Sequence, residues 1–500
     1  MTEKNDILEG PFDSLRDYLA SVESSGRLIR IGRMDQDRYE ATGFAYRLVD
    51  EYGFDDAPPF IIDQVRIGGK WMTGPVIGNV FGGWDNEARA FGVSSQELAE
   101  TSDAYRAAYE RLAKLYEGHS GWPRVAPIEV EAASAPCKQH RLVGDEVDLY
   151  VFPWLRTNPG DAGAYITAGT VFVEDPELGR NVATYRCQIK SRNRIGVNME
   201  TGQNAWSFLQ KYKERGCESM PAAVVVGVDP ITFAVGTSKM ARLGEDELEI
   251  AGGLLGKPVE LVRCETSSVR VPATAEIVIE GEISASDTEK EGPYGEVYGY
   301  MGLKKPSNYF MDVKAITYRE SPLLVNAFAG ITKLTMSLPQ IVANNLGYRE
   351  RIPNLIEYFR PIETIGVAIL SIDKQNAGDG MAAGQVIADN DLFAKLIIVV
   401  DKDVDVRNKT QVFQAIGTRW QPHPASALIE KTKGFPLDPS APTRWETSKM
   451  IVDATRQLPE EGGPENAPRI SRELLEELSP ETFELVNARW QEYWKQDPHS

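Results

Sequence analysis

The sequence has few of the residues that build most metal centres and nucleophilic triads. Its 500 residues include only four cysteines and four histidines. The cysteines form no CxxC pair and the histidines no HxxxH or HExxH spacing, which excludes a thiolate zinc site, a disulfide framework and a zinc-protease helix. We therefore expect reduced thiols, and acid–base chemistry that depends on carboxylates.

Basic residues are also fewer than acidic ones. The chain has 54 Lys and Arg against 73 Asp and Glu, a formal net charge of −19, and no segment has the basic surplus of a nucleic-acid footprint. The longest apolar runs, 222–228 and 396–400, are far shorter than the ~18 to 20 residues that span a bilayer. The opening MTEKNDILEG lacks the apolar core of a signal peptide. These absences predict a cytoplasmic protein that spans no membrane and binds no nucleic acid.

Three kinds of pattern follow one another along the chain. Residues 1–130 combine helical apolar spacing with strand-like runs, which predicts an α/β domain. Residues 131–320 are rich in short β-type runs separated by Gly, Pro and Asp, typical of a barrel or a sandwich. Residues 335–470 return to strand–helix units and predict a second α/β domain, which we expect to mediate oligomerisation; 471–500 predict a terminal helix.

One run in the middle region alternates apolar and acidic residues. In AEIVIE, residues 275–280, the alanine and the two isoleucines occupy alternate positions with the two glutamates and a valine between them. Successive side chains of a strand point to opposite faces. The run therefore predicts a half-buried strand, with Glu276 and Glu280 on the face away from the core.

Two acids enclose an unusual loop sequence. EGPYGE places Glu291 and Glu296 on either side of two glycines and a proline. Such a sequence forces a sharp, irregular loop that can aim both carboxylates into one pocket, where mutual repulsion and burial favour one of them keeping a proton near neutral pH. Acid pairs at this spacing are common among 73 acidic residues, so a solvated loop is the alternative.

Two further segments carry charge next to apolar residues. Arg186 ends the β-type run NVATYR, and an arginine among apolar neighbours needs a carboxylate or an anionic ligand as partner. Glu247 begins the Gly-bearing apolar segment ELEIAGG. Glu247 is a third candidate functional residue; the alternative is an ordinary helix with an acid near its positive end.

In this order, these segments resemble the UbiD family of decarboxylases, which depend on prenylated flavin mononucleotide. The resemblance covers most of the chain and is specific because seven segments occur in sequence. They are IGNVFGGW (77–84), APCKQHRL (135–142), GDAGAYITAG (160–169), NVATYRCQI (181–189), VPATAEIVIEGEI (271–283), EGPYGEVYGY (291–300) and IIVVDKDVDVRN with the downstream AIGTRW. The family's fold implies an N-terminal α/β domain, a central flavin-reductase-like split β-barrel and a C-terminal α/β domain with a terminal helix.

The resemblance also implies a catalytic network and a metal site. The family's catalytic arginine and two acids fall on Arg186, Glu291 and Glu296. Its divalent metal, usually Mn²⁺, bridges the flavin phosphate to an Asn, a His and a Glu, which fall on Asn181, Asn204 and Glu247. Asn204 departs from the pattern, and a neutral amide oxygen is a weaker manganese ligand than imidazole.

Other positions follow from the same resemblance. The prenylated FMN is expected against Thr167, Ala183, Thr184, Tyr185, Arg186, Gln203, Thr237, Ser238 and Lys239. Carbonyls and hydroxyls of the last three would suit a monovalent ion such as K⁺. The substrate side is expected to include Val297, residues 330–334 and residues 454–456.

The implied reaction is a reversible, non-oxidative decarboxylation of an aromatic, heteroaromatic or α,β-unsaturated acid through a covalent adduct with the prenylated flavin, with Glu296 as proton donor. A flavin prenyltransferase would supply the cofactor, and a homodimer or higher homo-oligomer is expected. The alternatives are an FMN-dependent oxidoreductase of the flavin-reductase type and a non-catalytic flavin-binding scaffold. The oxidoreductase has no need of the EGPYGE acid pair, and a scaffold would be expected to have lost one of the three charged residues.

Overall fold

The computed structural model of the protein describes residues 8–101, 103–466 and 468–493. The N-terminal part alternates helices and strands. In the first helix Ser14 accepts a hydrogen bond from the Asp17 amide, and the apolar side is buried at helical spacing. The elements are α1 (Leu15–Ser24), β1 (Ile29–Asp35), α2 (Glu40–Tyr52), β2 (Phe60–Ile67), β3 (Lys70–Gly78), α3 (Trp84–Ala90), α4 (Ser95–Glu100) and α5 (Ala104–Gly118).

The middle part is dominated by short strands, as the Gly- and Pro-punctuated runs predict. Its elements are β4 (Ile128–Glu129), β5 (His140–Val143), β6 (Tyr165–Ile166), β7 (Thr170–Asp175), β8 (Gly179–Thr184), β9 (Cys187–Ser191), β10 (Arg194–Val197), α6 (Asn204–Glu214), β11 (Ser219–Val226), α7 (Pro230–Thr237), α8 (Glu247–Leu255), β12 (Glu260–Arg263), β13 (Arg270–Pro272), β14 (Ile277–Ser284), β15 (Glu289–Glu291), β16 (Lys305–Tyr318) and β17 (Leu324–Asn326).

A ten-stranded sheet forms the centre of the molecule. Its main path runs β6-β9-β10-β16-β14-β11-β7-β8, and β15 and β5 also pair with β16. Within the described residues this path has two unpaired ends, so the sheet is not a closed barrel. Three other strands of the middle part form a separate sheet in the order β13-β12-β4. The mixed α/β, multidomain fold class is confirmed, whereas the domain boundaries at 130, 320, 335 and 470 stay predictions.

The prediction of a half-buried β14 is wrong. Glu276 and Glu280 are fully buried together with their apolar neighbours. Arg16 of α1 forms a two-pronged ion pair with Glu276, and Lys138 approaches Glu280 at 3.4 Å. The face that the alternation assigned to solvent is therefore covered by other parts of the chain, which supply the opposite charges that buried carboxylates require.

The N-terminal sheet takes its last strand from far along the chain. Its order is β1-β2-β3-β17, and Leu324–Asn326 pairs in parallel with Val76–Gly78. One large apolar core runs through the N-terminal and middle parts and extends into the C-terminal part, which also holds a second, smaller core. The first two parts therefore share both a sheet and a core.

A buried ion pair fastens α3 to the segment after β17. The ammonium of Lys333 contacts Glu87 Oε2, and both side chains are inaccessible to solvent. The other oxygen of Glu87 accepts the Leu338 amide at 2.6 Å. The same ammonium lies 3.8 Å from the ring centroid of Trp84. The last residue of the IGNVFGGW motif thus helps to enclose a buried charge.

The C-terminal part is a second α/β unit with a five-stranded sheet in the order β18-β19-β20-β22-β21. Its elements are α9 (Leu338–Arg349), β18 (Leu355–Phe359), β19 (Val367–Ile372), α10 (Asp379–Asn390), β20 (Leu396–Asp401), α11 (Lys409–Arg419), β21 (Ser426–Lys433), β22 (Glu446–Asp453), α12 (Ser471–Leu478) and α13 (Glu481–Tyr493). The three central strands are parallel, and β20 is buried along its middle.

The predicted terminal helix is two helices. The chain breaks between α12 and α13 at Ser479 and Pro480, because a proline removes a backbone donor and disfavours helical geometry in the residue before it. Residues 494–500, the end of the predicted helix, lie outside the described residues, as do residues 1–7 of the predicted N-terminal domain. In the described part of the chain, no helix is long and apolar enough to cross a membrane.

Candidate active site

Arg186 and the two acids of EGPYGE meet in the central sheet. Arg186 lies at the turn between β8 and β9, not within a strand as its sequence context suggested. Its Nε and Nη2 donate to Oε1 and Oε2 of Glu291, both at 3.0 Å, and its Nη1 donates to Oε1 of Glu296 at 2.5 Å. One guanidinium therefore holds both carboxylates, 105 and 110 residues away in sequence.

The network is largely withdrawn from water. The exposed fractions of the Arg186, Glu291 and Glu296 side chains are 10%, 1% and 11%. Burial lowers the pKa of Arg186, but the hydrogen bonds and charges of the two acids raise it by more, so its pKa lies above the ordinary value. The guanidinium also lies over the Tyr294 ring, 5.0 Å from its centroid. Arg186 is thus held as a permanent cation.

The two acids differ in how many of their oxygens are engaged. Both oxygens of Glu291 accept from Arg186, and Oε1 also accepts the Tyr165 hydroxyl at 3.2 Å. Glu296 accepts the guanidinium at Oε1 alone; no hydrogen bond to its Oε2 occurs among the described residues. Glu296 is therefore the acid with an oxygen available to carry or transfer a proton.

Glu296 sits in a tight loop that we call the acid loop, residues 291–302. Its amide donates to the Tyr300 carbonyl at 2.8 Å, and its carbonyl accepts the Gly299 amide at 2.9 Å. A Cβ at Gly302 would lie 2.5 Å from Glu296 Oε1. The loop therefore packs its own backbone against the carboxylate, and a Cβ at residue 302 would displace that carboxylate.

Two of the three predicted metal ligands meet at β8, and the third begins a helix that packs on the same strand. Both side-chain polar atoms of Asn181 are buried without a hydrogen-bond partner. Glu247, the first residue of α8, accepts the amide of the neighbouring Val182 at 3.0 Å. Asn204 is the first residue of α6, the helix that packs on β8.

These residues fit a cation. Burial raises the pKa of Glu247 to about 8, so a positive charge is needed to keep it ionised at neutral pH. The unpartnered Asn181 amide supplies an oxygen of the kind that hard cations prefer. In the described part of the chain no three His, Cys, Asp or Glu side chains are grouped to hold a metal. A metal here would therefore depend on amide oxygens.

The predicted flavin-binding residues differ in their hydrogen bonds and in their exposure. Thr184 Oγ1 is buried without a partner, whereas Thr167 Oγ1 donates to Asn326 and accepts the Ala327 amide. The hydroxyls of Thr237 and Ser238 donate to carbonyls of α7. Ala183 is half-buried and Tyr185 buried, while Gln203 and Lys239 are exposed. Thr184 thus joins Asn181 as an unpartnered buried group on β8.

The predicted substrate-side residues divide into two groups. Val297 follows Glu296, and Gly330 packs so closely on the acid loop that a Cβ there would lie 2.5 Å from the Gly299 Cα. In the second group, residues 454–456, Ala454 and Thr455 are fully buried. Arg456 is exposed and paired with two acids, Asp403 and Glu473, which leaves its charge compensated.

Three residues of the network were not singled out from the sequence. Tyr165 donates to Glu291, Tyr294 lies against Arg186, and Asp161 accepts the Gly295 amide at 3.0 Å. The available signal was their position inside the two motifs GDAGAYITAG and EGPYGE. Nothing local in the sequence indicates that these motifs contact one another.

Comparison with known proteins identifies the class of the chain. Residues 128–332 match the family model for the 3-octaprenyl-4-hydroxybenzoate carboxy-lyase Rift-related domain, and residues 333–454 match that for the carboxy-lyase C-terminal domain. These two models together cover more than half of the chain. The protein belongs to the UbiD family and is a carboxy-lyase.

The relatives are similar over nearly their whole length. The chain is 27% identical to a phenolic acid decarboxylase of Bacillus subtilis (strain 168) over 95% of this chain and 99% of the relative. It is 29% identical to a phenolic acid decarboxylase of Sedimentibacter hydroxybenzoicus over 91% of this chain and 93% of the relative.

Two solved structures of the UbiD-class enzyme HmfF from Pelotomaculum thermopropionicum have the same fold. The first, in complex with FMN, matches with a TM-score of 0.78 and 28% identity, covering 92% of this chain and 97% of that one. The second, an evolved dimeric form in complex with prFMN, matches with a TM-score of 0.74 and 27% identity over the same shares.

Proposed function

We propose that this carboxy-lyase catalyses the reversible, non-oxidative decarboxylation of an aromatic, heteroaromatic or α,β-unsaturated carboxylic acid with prenylated FMN. The observation that carries the proposal is the buried guanidinium of Arg186, bonded at once to Glu291 and Glu296. The relatives named phenolic acid decarboxylases support an aromatic substrate. The HmfF complexes with FMN and prFMN support the cofactor.

The cofactor would be held around β8. Its phosphate and a divalent cation such as Mn²⁺ would be bound by Asn181, Asn204 and Glu247, with K⁺ near residues 237–239. Thr167, residues 183–186 and Gln203 would contact the flavin. When bound, prenylated FMN supplies an electrophilic carbon for the substrate and an electron sink for the carbanion that loss of CO2 leaves, which side chains alone cannot stabilise.

Glu296 is the proton donor in this proposal. Its Oε2 is the one carboxylate oxygen of the network without a hydrogen bond among the described residues. Glu291, with both oxygens engaged, holds Arg186 in place instead. Replacing the departing CO2 with a proton then requires only that Glu296 be protonated beforehand.

In this proposal Glu296 must take up a proton before transfer. One guanidinium between two ionised carboxylates leaves a net charge of −1, which would repel a carboxylate substrate. A proton on Glu296 would make the network neutral, so substrate binding and proton transfer would favour the same protonation state.

The test is a set of single substitutions in protein produced together with a flavin prenyltransferase. The variants are Glu296→Gln and Glu291→Gln, with Glu289→Gln as matched control because Glu289 lies on β15 and pairs with Arg194 at the surface. The measurements are the absorbance and mass of the bound cofactor, CO2 release from a panel of aromatic acids, and solvent deuterium incorporation. We expect Glu296→Gln to retain cofactor and to lose about 10²- to 10⁴-fold in turnover, and Glu289→Gln to resemble the wild type.

Turnover or deuterium exchange that persists in Glu296→Gln would remove the assignment of the proton donor. Plain FMN with hydride transfer would identify an FMN-dependent oxidoreductase. Bound flavin with neither CO2 release nor hydride transfer would identify a non-catalytic flavin-binding scaffold.

A further inference from the structure

The acid loop is held from outside by one neighbouring stretch of chain, residues 157–165, which we call the clamp segment. The Ala162 amide donates to the Pro293 carbonyl at 2.9 Å, so the two backbones run against each other. Two side chains of the clamp segment, Asp161 and Tyr165, reach the acid loop on either side of this contact. Each ends at or beside one of the two catalytic acids.

Asp161 ties the two backbones together next to Glu296. Asp161 is buried, with 1% of the residue exposed. Oδ1 accepts the Gly295 amide at 3.0 Å, and Oδ2 accepts the Thr157 hydroxyl at 3.0 Å and the Asn158 amide at 2.9 Å. A buried carboxylate is stable only when its oxygens are bonded in this way. Because Gly295 directly precedes Glu296, Asp161 fixes the backbone from which that side chain projects.

Tyr165 acts on the other acid. Its hydroxyl donates to Glu291 Oε1 at 3.2 Å, and its ring lies 4.4 Å from the ring centroid of Tyr294. Tyr294 in turn lies under the Arg186 guanidinium. The residue therefore supports both the carboxylate that holds Arg186 and the aromatic face beneath it.

Small shifts of the acid loop would be costly for proton transfer. Glu296 Oε1 lies between the Arg186 guanidinium and the Gly302 backbone, with no room for a Cβ at 302. A displacement of about 1 Å in a reacting group can reduce a rate by about 100-fold. Whatever fixes the loop therefore fixes the reaction geometry.

We propose that Asp161 and Tyr165 are positioning residues, which hold Glu296 and Glu291 respectively in the geometry that proton transfer requires. The inference rests on the proposed function, since it assigns both residues a role through the two acids. Its distinctive consequence is that the rate of turnover depends on two side chains that act only through their neighbours, while substrate affinity does not.

The test compares Asp161→Asn, Asp161→Ala and Tyr165→Phe in cofactor-loaded protein. Phenylalanine keeps the ring against Tyr294 and removes only the donor. Asparagine keeps one acceptor oxygen, whereas alanine keeps none. We expect kcat to fall about 10- to 100-fold with KM changed less than about twofold, cofactor absorbance unchanged, and asparagine intermediate between aspartate and alanine.

A second readout does not depend on turnover. The Gly295 amide is bonded to Asp161, so its hydrogen exchange in a peptide covering the acid loop should accelerate in both Asp161 variants and stay at the wild-type rate in Tyr165→Phe. This measurement separates the backbone contact from the contact to Glu291.

The chain offers matched controls in Tyr105→Phe and Glu357→Gln. Tyr105 is 1% exposed and donates its hydroxyl to Oε1 of Glu357 at 3.1 Å, while the other oxygen of Glu357 accepts from Arg106 at 2.7 Å. These substitutions repeat a tyrosine-to-phenylalanine change and a carboxylate-to-amide change at a buried pair between α5 and β18. We expect them to leave kcat within about twofold of the wild type, since buried contacts away from a reaction centre act on stability.

The outcomes separate this inference from the proposed function. Wild-type kcat in Asp161→Asn and Tyr165→Phe, together with an inactive Glu296→Gln, would overturn the positioning roles alone. A raised KM at unchanged kcat would assign the two residues to substrate binding and overturn them too. Turnover in Glu296→Gln would overturn the proton-donor assignment made under the proposed function. If Asp161→Ala does not load cofactor, the kinetics of Asp161→Asn and Tyr165→Phe decide whether the positioning roles hold.

Discussion

The buried ion pair between Glu87 and Lys333 should respond to substitution as a coupled unit. Among the residues that the structure describes, Lys333→Met leaves Glu87 with the Leu338 amide as its remaining hydrogen-bond partner, and Glu87→Gln leaves the ammonium with the Trp84 ring as its remaining favourable contact. Because both side chains are inaccessible to solvent, each single change creates an uncompensated buried charge, and we expect a loss of about 3 to 5 kcal/mol in the free energy of unfolding.

The double variant removes both charges at once. Gln at 87 still accepts the Leu338 amide and Met at 333 still fills the space, so we expect a total loss of only about 1 to 2 kcal/mol. Urea unfolding of the wild type, both singles and the double measures the coupling. The exposed pair of Arg47 and Glu51, with side chains 71% and 55% exposed, is the control and should change by less than about 0.5 kcal/mol. Additive losses in the double variant would refute the reasoning.

Three further outcomes are expected. Gly302→Ala should reduce kcat by about 10-fold or more with cofactor still bound, because its Cβ would lie 2.5 Å from Glu296 Oε1; steady-state kinetics on loaded protein would test this, and unchanged kcat would contradict it. Burial, with a smaller contribution from Glu363, raises the pKa of Asp55 from 3.8 to about 6. Protonated Asp55 therefore contributes its full stability below the unfolded pKa of 3.8, and that stability is lost as the pH rises to about 6. Between pH 4 and 7 the free energy of unfolding of Asp55→Asn, measured in urea, should rise by about 2 kcal/mol relative to that of the wild type. A difference that does not depend on pH would count against this. Of the four cysteines only Cys217 is exposed, so a thiol reagent at neutral pH should label one site per native chain and four after unfolding, and a second fast site would disprove the burial of the others.

The network of Arg186, Glu291 and Glu296 could be predicted because each of its members has its own signal in the sequence. Arg186 follows an apolar run and needs an acidic partner, and the glycines and proline between Glu291 and Glu296 predict a loop that can present two carboxylates. The resemblance assigned the three to one site. The structure brings them within hydrogen-bond distance.

The contacts that support this network could not be predicted in the same way. Asp161 meets Gly295 across 134 residues, and nothing in either segment indicates the other. The burial of Glu280 was missed for a related reason: alternation reports which residues share a face, but not whether a distant residue such as Lys138 covers that face. Long-range pairing, and not local propensity, decided these cases.

The placement of β17 has a consequence for the order in which the protein is made. Strand β3 ends at Gly78, but the strand that pairs with its far side begins at Leu324. At a synthesis rate of about 5 to 20 residues per second, the interval between them lasts on the order of tens of seconds. During that time the nascent N-terminal sheet exposes β3 as an unpaired edge, the kind of surface that recruits other chains. Its completion waits for the whole central sheet to leave the ribosome.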